Sequence, residues 1–343
     1  MVSRTRKAAA QASYQQGERK NFVYNGDINV AQRGATVACG AGANAYGPDR
    51  WQGSGNCAGA FNMIQQAETP DGFANSLQID VSTADTSLAV GDYVILQQKF
   101  EGFDLQALNK GDAQARSVTL SFWARSSKTG IHVAELQDRD NSRWCSQSYT
   151  IAVADTWEYQ TLTYPGDTTG ALDDDANASM DITFWFLAGA TYSGGGSLGT
   201  TWHTTANTRA VGQVNVFDST SNNLYITGVQ LELGDVATDF QYETYAENLA
   251  RCQRYYEIQR ATYLGMTTSG YAHGGRSGFN VAKRATPTVT FLSWINRYSG
   301  FSTAATTAGN QPSKESTGFY ALASSTVTAG SNYTAEYSAE AEI

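Results

Sequence analysis

Charge is scarce in this 343-residue chain, with Asp, Glu, Lys and Arg making up only 16% of it. Such a composition, rich instead in Gly, Ser, Thr, Ala and Asn, suits a protein packed permanently into an assembly. Histidine is scarcer still. His132, His203 and His273 lie far apart and form no HExxH or other metal-spaced pair. The four cysteines, Cys39, Cys57, Cys145 and Cys252, contain no CxxC and no metal-ligand spacing. Cys39 and Cys57 flank an aromatic loop and stand either bridged or free, a reducing cytosol favouring free thiols. No apolar run approaches the ~18 residues that a membrane helix needs, and the N-terminus has no apolar leader core. Membrane insertion is therefore not expected, nor is a cofactor. No internal repeat relates the two halves.

The charge that is present is unevenly placed. Arg4, Arg6, Lys7, Arg19 and Lys20 against Glu18 give residues 1–20 a net +4, while the chain as a whole carries −9. The acidic remainder does not suit nucleic acid, whose phosphates demand clustered Lys and Arg. The basic start is expected to be an arm that docks on an acidic partner.

Aromatic residues make up 12% of the chain and are spread among many Gly, Ser, Thr and Asn turns, a texture that favours strands. Apolar residues alternate with polar ones at Leu77, Ile79, Val81, at Val118, Leu120, Phe122, Ala124, at Met180, Ile182, Phe184, Phe186, Ala188, and at Tyr225, Thr227, Val229, Leu231, Leu233. Period two means half-buried strands. Residues 92–98 and 131–137 add two more. Asn25-Gly26-Asp27 predicts a tight turn between Phe22-Val23-Tyr24 and Ile28-Asn29-Val30. Tyr245, Leu249, Cys252 and Tyr256 instead follow a helical period. With Thr244 and Glu247 as a capping box, they predict a helix of about four turns over 244–259. The expected fold is all-β. It comprises a basic arm (1–20), a jelly-roll-like β-sandwich (21–242), a connecting α-helix (243–260) and a small C-terminal β domain (261–343).

Several stretches carry a resemblance. NFVYNGDINVAQRG (Asn21–Gly34), YGPDRW (Tyr46–Trp51), SVTLSFWARS (Ser117–Ser126) and TWEYQTLTYPGD (Thr156–Asp167) resemble phage tail-fibre and related virion-surface proteins. These carry a module similar to family 4/9-type carbohydrate-binding modules. ITGVQLELGDVATDFQYETYAENLARCQRYYE (Ile226–Glu257) is the most specific piece, and YTAEYSAEAEI (Tyr333–Ile343) looks like the end of such fibres. The resemblance implies a virion-surface protein made in the host cytoplasm. It would be anchored to other virion proteins through Arg4, Arg6 and Lys7 and would contact host-surface polysaccharide. A homotrimer is expected, with Tyr245, Leu249, Cys252 and Tyr256 at the subunit interface.

Candidate binding residues follow from strand parity and loop chemistry. Trp123 and Trp185 fall opposite the core-facing positions of their strands. If those strands are neighbours, the two rings form an outward platform for sugar stacking. The alternative is that the arm, a loop or a neighbouring subunit covers them. The loop YSGGGSLGTTWH adds Tyr192, Trp202 and His203 on a flexible Gly run, read as a recognition loop or, alternatively, as a long connection packed on a neighbouring subunit. Trp294, with Tyr298 and Phe301, stands in the last domain, facing either a distal receptor surface or that domain's small core. Asp173, Asp174 and Asp175 are dense enough in hard oxygen ligands for a structural calcium ion, yet lack EF-hand spacing, so a solvated acidic turn is the plainer reading. Catalytic motifs fail on spacing. The GxGxxG of Gly194, Gly196 and Gly199 precedes no helix, and Ser277 lacks GxSxG geometry. A non-enzymatic fibre or spike is expected. The alternatives are a capsid-decoration protein and, less favoured, a glycan-degrading tailspike.

Overall fold

The computed structural model describes residues 20–264, 272–296, 313–322 and 332–343. The chain divides into two compact units, Met1–Thr244 and Tyr245–Ile343.

The first unit is a sandwich of two antiparallel six-stranded sheets. One sheet has the order β1 (Thr36–Cys39), β4 (Ala60–Gln66), β5 (Ser76–Thr83), β12 (Asn223–Leu233), β7 (Val118–Ser126), β10 (Glu158–Tyr164). The other runs β2 (Asn44–Tyr46), β3 (Gln52–Asn56), β6 (Tyr93–Glu101), β11 (Ala178–Ala188), β8 (Gly130–Asp138), β9 (Arg143–Ile151). The alternating runs read from sequence all fall on strands. Their inward residues meet between the sheets: Phe122 of β7 packs edge-on against Phe184 of β11, ring centroids 5.0 Å apart, and against Tyr149 of β9 at 5.1 Å. Trp51 and Phe184 extend this aromatic centre. Edge-to-face rings gain quadrupole attraction beyond their area burial.

The Asn25-Gly26-Asp27 turn is present, with Asn25 in the left-handed region at φ 52°, but its flanks are not strands. The turn and the segments on either side of it form a buried irregular strap, residues 21–30. Its hydrogen bonds reach both sheets as well as closing the strap on itself, through Ile28 N to Asn25 O (3.1 Å) and Asn25 Nδ2 to Val30 O (2.8 Å). Phe22 N donates to Leu231 O (2.9 Å), Val229 N to Gly26 O (2.9 Å), and Gln98 satisfies both the N–H and the C=O of Tyr24. A Cβ on Gly26 would lie 2.1 Å from Val229 O, so only glycine admits that approach.

The second unit pairs β13 (Tyr256–Leu264), β17 (Asn332–Glu340) and β15 (Thr288–Asn296) in one sheet, and β14 (Ala272–Gly278) with β16 (Ser316–Leu322) in another. Two one-turn helices, α1 (Gly102–Leu105) and α2 (Ala190–Ser193), decorate the sandwich, and α3 (Tyr245–Gln253) opens the second unit. The four-turn helix expected over 244–259 is thus shortened. After Gln253 the chain turns and Tyr256 begins β13, where nine cross-strand pairs with β17 override the helical period. The predicted interface stripe is broken by the same change. Tyr245 is exposed and Leu249 half-buried, whereas Cys252 and Tyr256 are buried within the unit. Beside them Lys283 and Glu257, both fully buried, form an ion pair, and Lys283 Nζ also caps Gln253 O.

All four cysteines are free thiols. Burial pushes Cys39 up to about 11, so it is protonated and inert at neutral pH. Among the described residues no helix is long and apolar enough to cross a membrane.

Candidate functional site

Strand β11 lies at the middle of its sheet, between β6 and β8, and its outward residues alternate with the core-facing Ile182 and Phe184. That parity places Asp181, Thr183 and Trp185 on the outer face. Gln97 and Glu135 sit directly across from Thr183 on the two neighbouring strands. The face is not open. Residues 189–213 fold back over it, held by Ala210 N to Tyr192 O (2.9 Å), Ser146 N to Gly199 O (2.9 Å) and an isolated bridge between Trp144 and His203.

Arg209, carried by this loop, organises the covered face. Its Nε and Nη2 reach the two carboxylate oxygens of buried Glu135 at 2.9 and 2.6 Å. Its guanidinium carbon stands 4.6 Å from the Trp144 ring centroid, 5.2 Å from Trp185 and 5.7 Å from Tyr192. A cation over several aromatic faces is favoured by their quadrupoles. Arg139 makes a second two-pronged pair with buried Asp181, at 2.6 and 2.7 Å, and touches Gln97 Oε1 at 3.3 Å. Burial pushes the carboxyls of Glu135 and Asp181 upward, and their arginine partners pull them back.

Between these groups remains a pocket of about 200 Å³, bordered by Tyr93, Gln97, Gln137, Arg139, Trp185 and Tyr192. Aromatic walls with amide and guanidinium groups are what a sugar-sized polar ligand requires: ring faces for stacking and fixed donors for hydroxyls. Trp185 Nε1 is buried there without a hydrogen-bond partner, as is Thr183 Oγ1 on the same face.

The structure brings together some of the sequence candidates and separates others. Trp185 and Tyr192 meet, ring centroids 5.2 Å apart. His203 lies beside Trp144, and burial lowers its basicity. Trp202 turns away, donating to Pro165 O (2.7 Å) with Lys110 Nζ 4.9 Å from its ring centroid. The platform of Trp123 with Trp185 does not exist. β7 and β11 belong to opposite sheets, so the two rings face away from each other. Trp185 is only 1% exposed, because the loop read as a flexible recognition loop packs on its own sheet.

The calcium site is also absent: no group of three His, Cys, Asp or Glu side chains able to hold a metal occurs among the described residues. Asp175 is spent on an Asx turn to Asn177, and the nearby Asp167 pairs with Lys110 and Arg143. The side chain of Trp294, together with Tyr298, Phe301, Arg4, Arg6 and Lys7, lies outside the described residues. Sequence reasoning missed Tyr93, Gln97, Gln137, Arg139 and Arg209. The first three sit at outward parity on β6 and β8, a signal that was legible, whereas nothing local marks Arg209 as a partner of Glu135.

No protein-family model matches the chain, and no curated protein matches it by sequence. Among solved structures it is similar to a putative sugar binding protein from Bacteroides thetaiotaomicron, at 14% identity over 62% of this chain and 100% of that one, TM-score 0.35. It is similar to TmCBM61 in complex with β-1,4-galactotriose, at 10% identity over 63% and 99%, TM-score 0.32. It is also similar to the enzymatically active domain of tailspike protein 4 of bacteriophage CBA120, at 14% identity over 62% and 21%, TM-score 0.32. The match thus spans about a fifth of that solved domain's chain. These are likenesses of fold.

Proposed function

We propose that this chain is a non-enzymatic structural protein of a bacteriophage virion, a fibre or spike subunit whose sandwich binds a host-surface glycan. The observation that carries the binding part is the pocket over β6, β11 and β8. There the rings of half-buried Tyr93 and Tyr192 and the polar side chains of Gln137 and Arg139 line one space, backed by the buried Trp185. The virion part rests on the sequence resemblance at Ile226–Glu257 and on the basic residues 1–20, which suit attachment to another virion protein. Several copies per particle turn individually weak contacts into firm adhesion, because each further contact forms at high effective concentration. A three-fold assembly fits this use.

A glycan array with purified protein tests the binding part. Wild type is expected to retain a defined set of sugars, and Tyr192→Ala and Gln137→Ala, both at half-buried positions, are expected to lose those held by this pocket. An array on which wild type binds nothing would remove the receptor role and leave a purely structural one. Release of oligosaccharide from host polysaccharide would overturn the non-enzymatic reading. Labelled protein imaged on particles distinguishes a tail from a capsid position.

A further inference from the structure

The sandwich carries a second, larger concavity on the opposite sheet, of about 850 Å³, within the usual range for ligand pockets. Its floor is the outer face of β7 and the edge strand β10. Trp123 stands directly across from Tyr159, and Ser121 directly across from Thr161. The Trp123 and Tyr159 rings lie 5.3 Å apart at 53°, with Tyr159 48% exposed. Two loops complete it. Phe73 reaches the sheet because residue 228 is glycine, where a Cβ would come within 2.6 Å of the Phe73 ring. Phe240 packs on Phe73 at 5.2 Å, and Tyr242, 61% exposed, lies 5.7 Å from Phe73 with its hydroxyl donating to Gly72 O.

The charge of the trough is one-sided. Asp71, Asp235 and Asp239 line it, no Lys or Arg does, and none of the three carboxylates makes an ion pair among the described residues. Exposed rings arrayed along a strand pair suit the C–H faces of successive sugars, and carboxylates accept hydrogen bonds from hydroxyls and, more strongly, from ammonium groups. An acidic chain would be repelled. Because β10 is the sheet edge, the trough is open where the sheet ends, which suits a polymer passing through.

We propose that this trough is a second glycan site, distinct from the pocket over β11, that takes a linear polysaccharide without acidic groups and holds amine-bearing chains most tightly. Titration calorimetry of the full chain with hexasaccharides of glucosamine, glucose and galacturonate tests it. The glucosamine and glucose hexamers are expected to bind, the former more tightly, and the galacturonate hexamer to fail. Tyr159→Ala, an exposed position, is expected to weaken binding at least tenfold, whereas Tyr192→Ala in the other pocket leaves it unchanged. Asp235→Asn is expected to reduce the preference for glucosamine while sparing glucose. Absence of binding to both the glucosamine and glucose hexamers overturns the proposal. So does equal binding of the galacturonate hexamer, indifference to Tyr159→Ala, or binding that appears only when residues 1–19 are removed, which would make the basic arm the occupant. Since Tyr159→Ala and Tyr192→Ala report separate faces, loss of this site and loss of the pocket over β11 are read independently.

Discussion

Arg209 closes over Glu135 with two nitrogen–oxygen contacts of 2.6 and 2.9 Å while its cation rests on Trp144, and this one side chain pins residues 189–213 to the sheet beneath. Arg209→Ala leaves a fully buried carboxylate without its counter-charge. Removing one member of a buried pair costs about 3–5 kcal/mol. We expect a loss of that order in chemical denaturation. Limited proteolysis should also show new cleavage between Ala190 and Thr208, since the loop loses its anchor.

His132 gives the stability a pH dependence. It is wholly buried, stacked on Tyr149, and its Nε2 lies 3.1 Å from Lys128 O, which fixes the neutral tautomer with Nδ1 unprotonated. Burial lowers its pKa to about 4. A histidine unfolds into water with a pKa near ~6.5, so between these values the unfolded chain binds the extra proton. Its contribution is complete above about pH 6.5 and is lost as pH falls towards 4, on the order of 3 kcal/mol in total. Urea midpoints of wild type and His132→Gln measured from pH 7 to 4.5 should converge as pH falls. Parallel curves would remove His132 as the cause.

Gly26→Ala forces a methyl group to within 2.1 Å of Val229 O and must push the strap off β12. Overpacking of this kind costs about 1–3 kcal/mol. Gly40→Ala, where nothing lies within 4 Å, is the matched control and is expected to change stability by less than about 0.5 kcal/mol. Thermal unfolding of the two variants side by side decides it.

In the second unit, Lys283→Met leaves the buried carboxylate of Glu257 without its counter-charge, with hydrogen bonds from Gln259 and Asn280 N remaining. The single substitution is expected to cost about 3–5 kcal/mol, and the pair Lys283→Met with Glu257→Leu markedly less, because two apolar side chains avoid the desolvation of both charges. A double-mutant cycle on the unfolding transition of that unit measures the difference.

Much of the sandwich was legible because its strands obey a period of two. Phe122 and Phe184 could be assigned to the interior from their neighbours alone, and both are there. Parity also put Trp185 on the outer face correctly. What parity does not carry is which strands are neighbours, and β7 and β11 proved to be in different sheets. Nor does it reveal a lid. The Gly run at 194–196 suggested a mobile loop, yet backbone bonds from Gly195 N to Asn207 O and Gly199 N to Thr208 O stitch it into a cover. The helix over-extension has the same origin. Tyr256 continues the helical period of Tyr245 and Cys252, but its pairing with Glu340 depends on residues more than 80 positions away.

The strap of residues 21–30 has a consequence for how the protein is made. Asn21 and Phe22 bond to Val229 and Leu231, some 208–210 residues further along the chain. At ~5–20 residues per second, roughly 10–40 s of translation separate the two halves of that contact. Throughout this interval Phe22, Val23, Ile28 and Val30 lack their burial site. The sandwich therefore cannot close vectorially from its N-terminus, and its sequence-distant pairings place it among slow, non-local folders. A ribosome stalled before residue 229 should hold a chain that is protease-sensitive over 21–30, and one stalled late enough to expose Leu231 outside the exit tunnel should not.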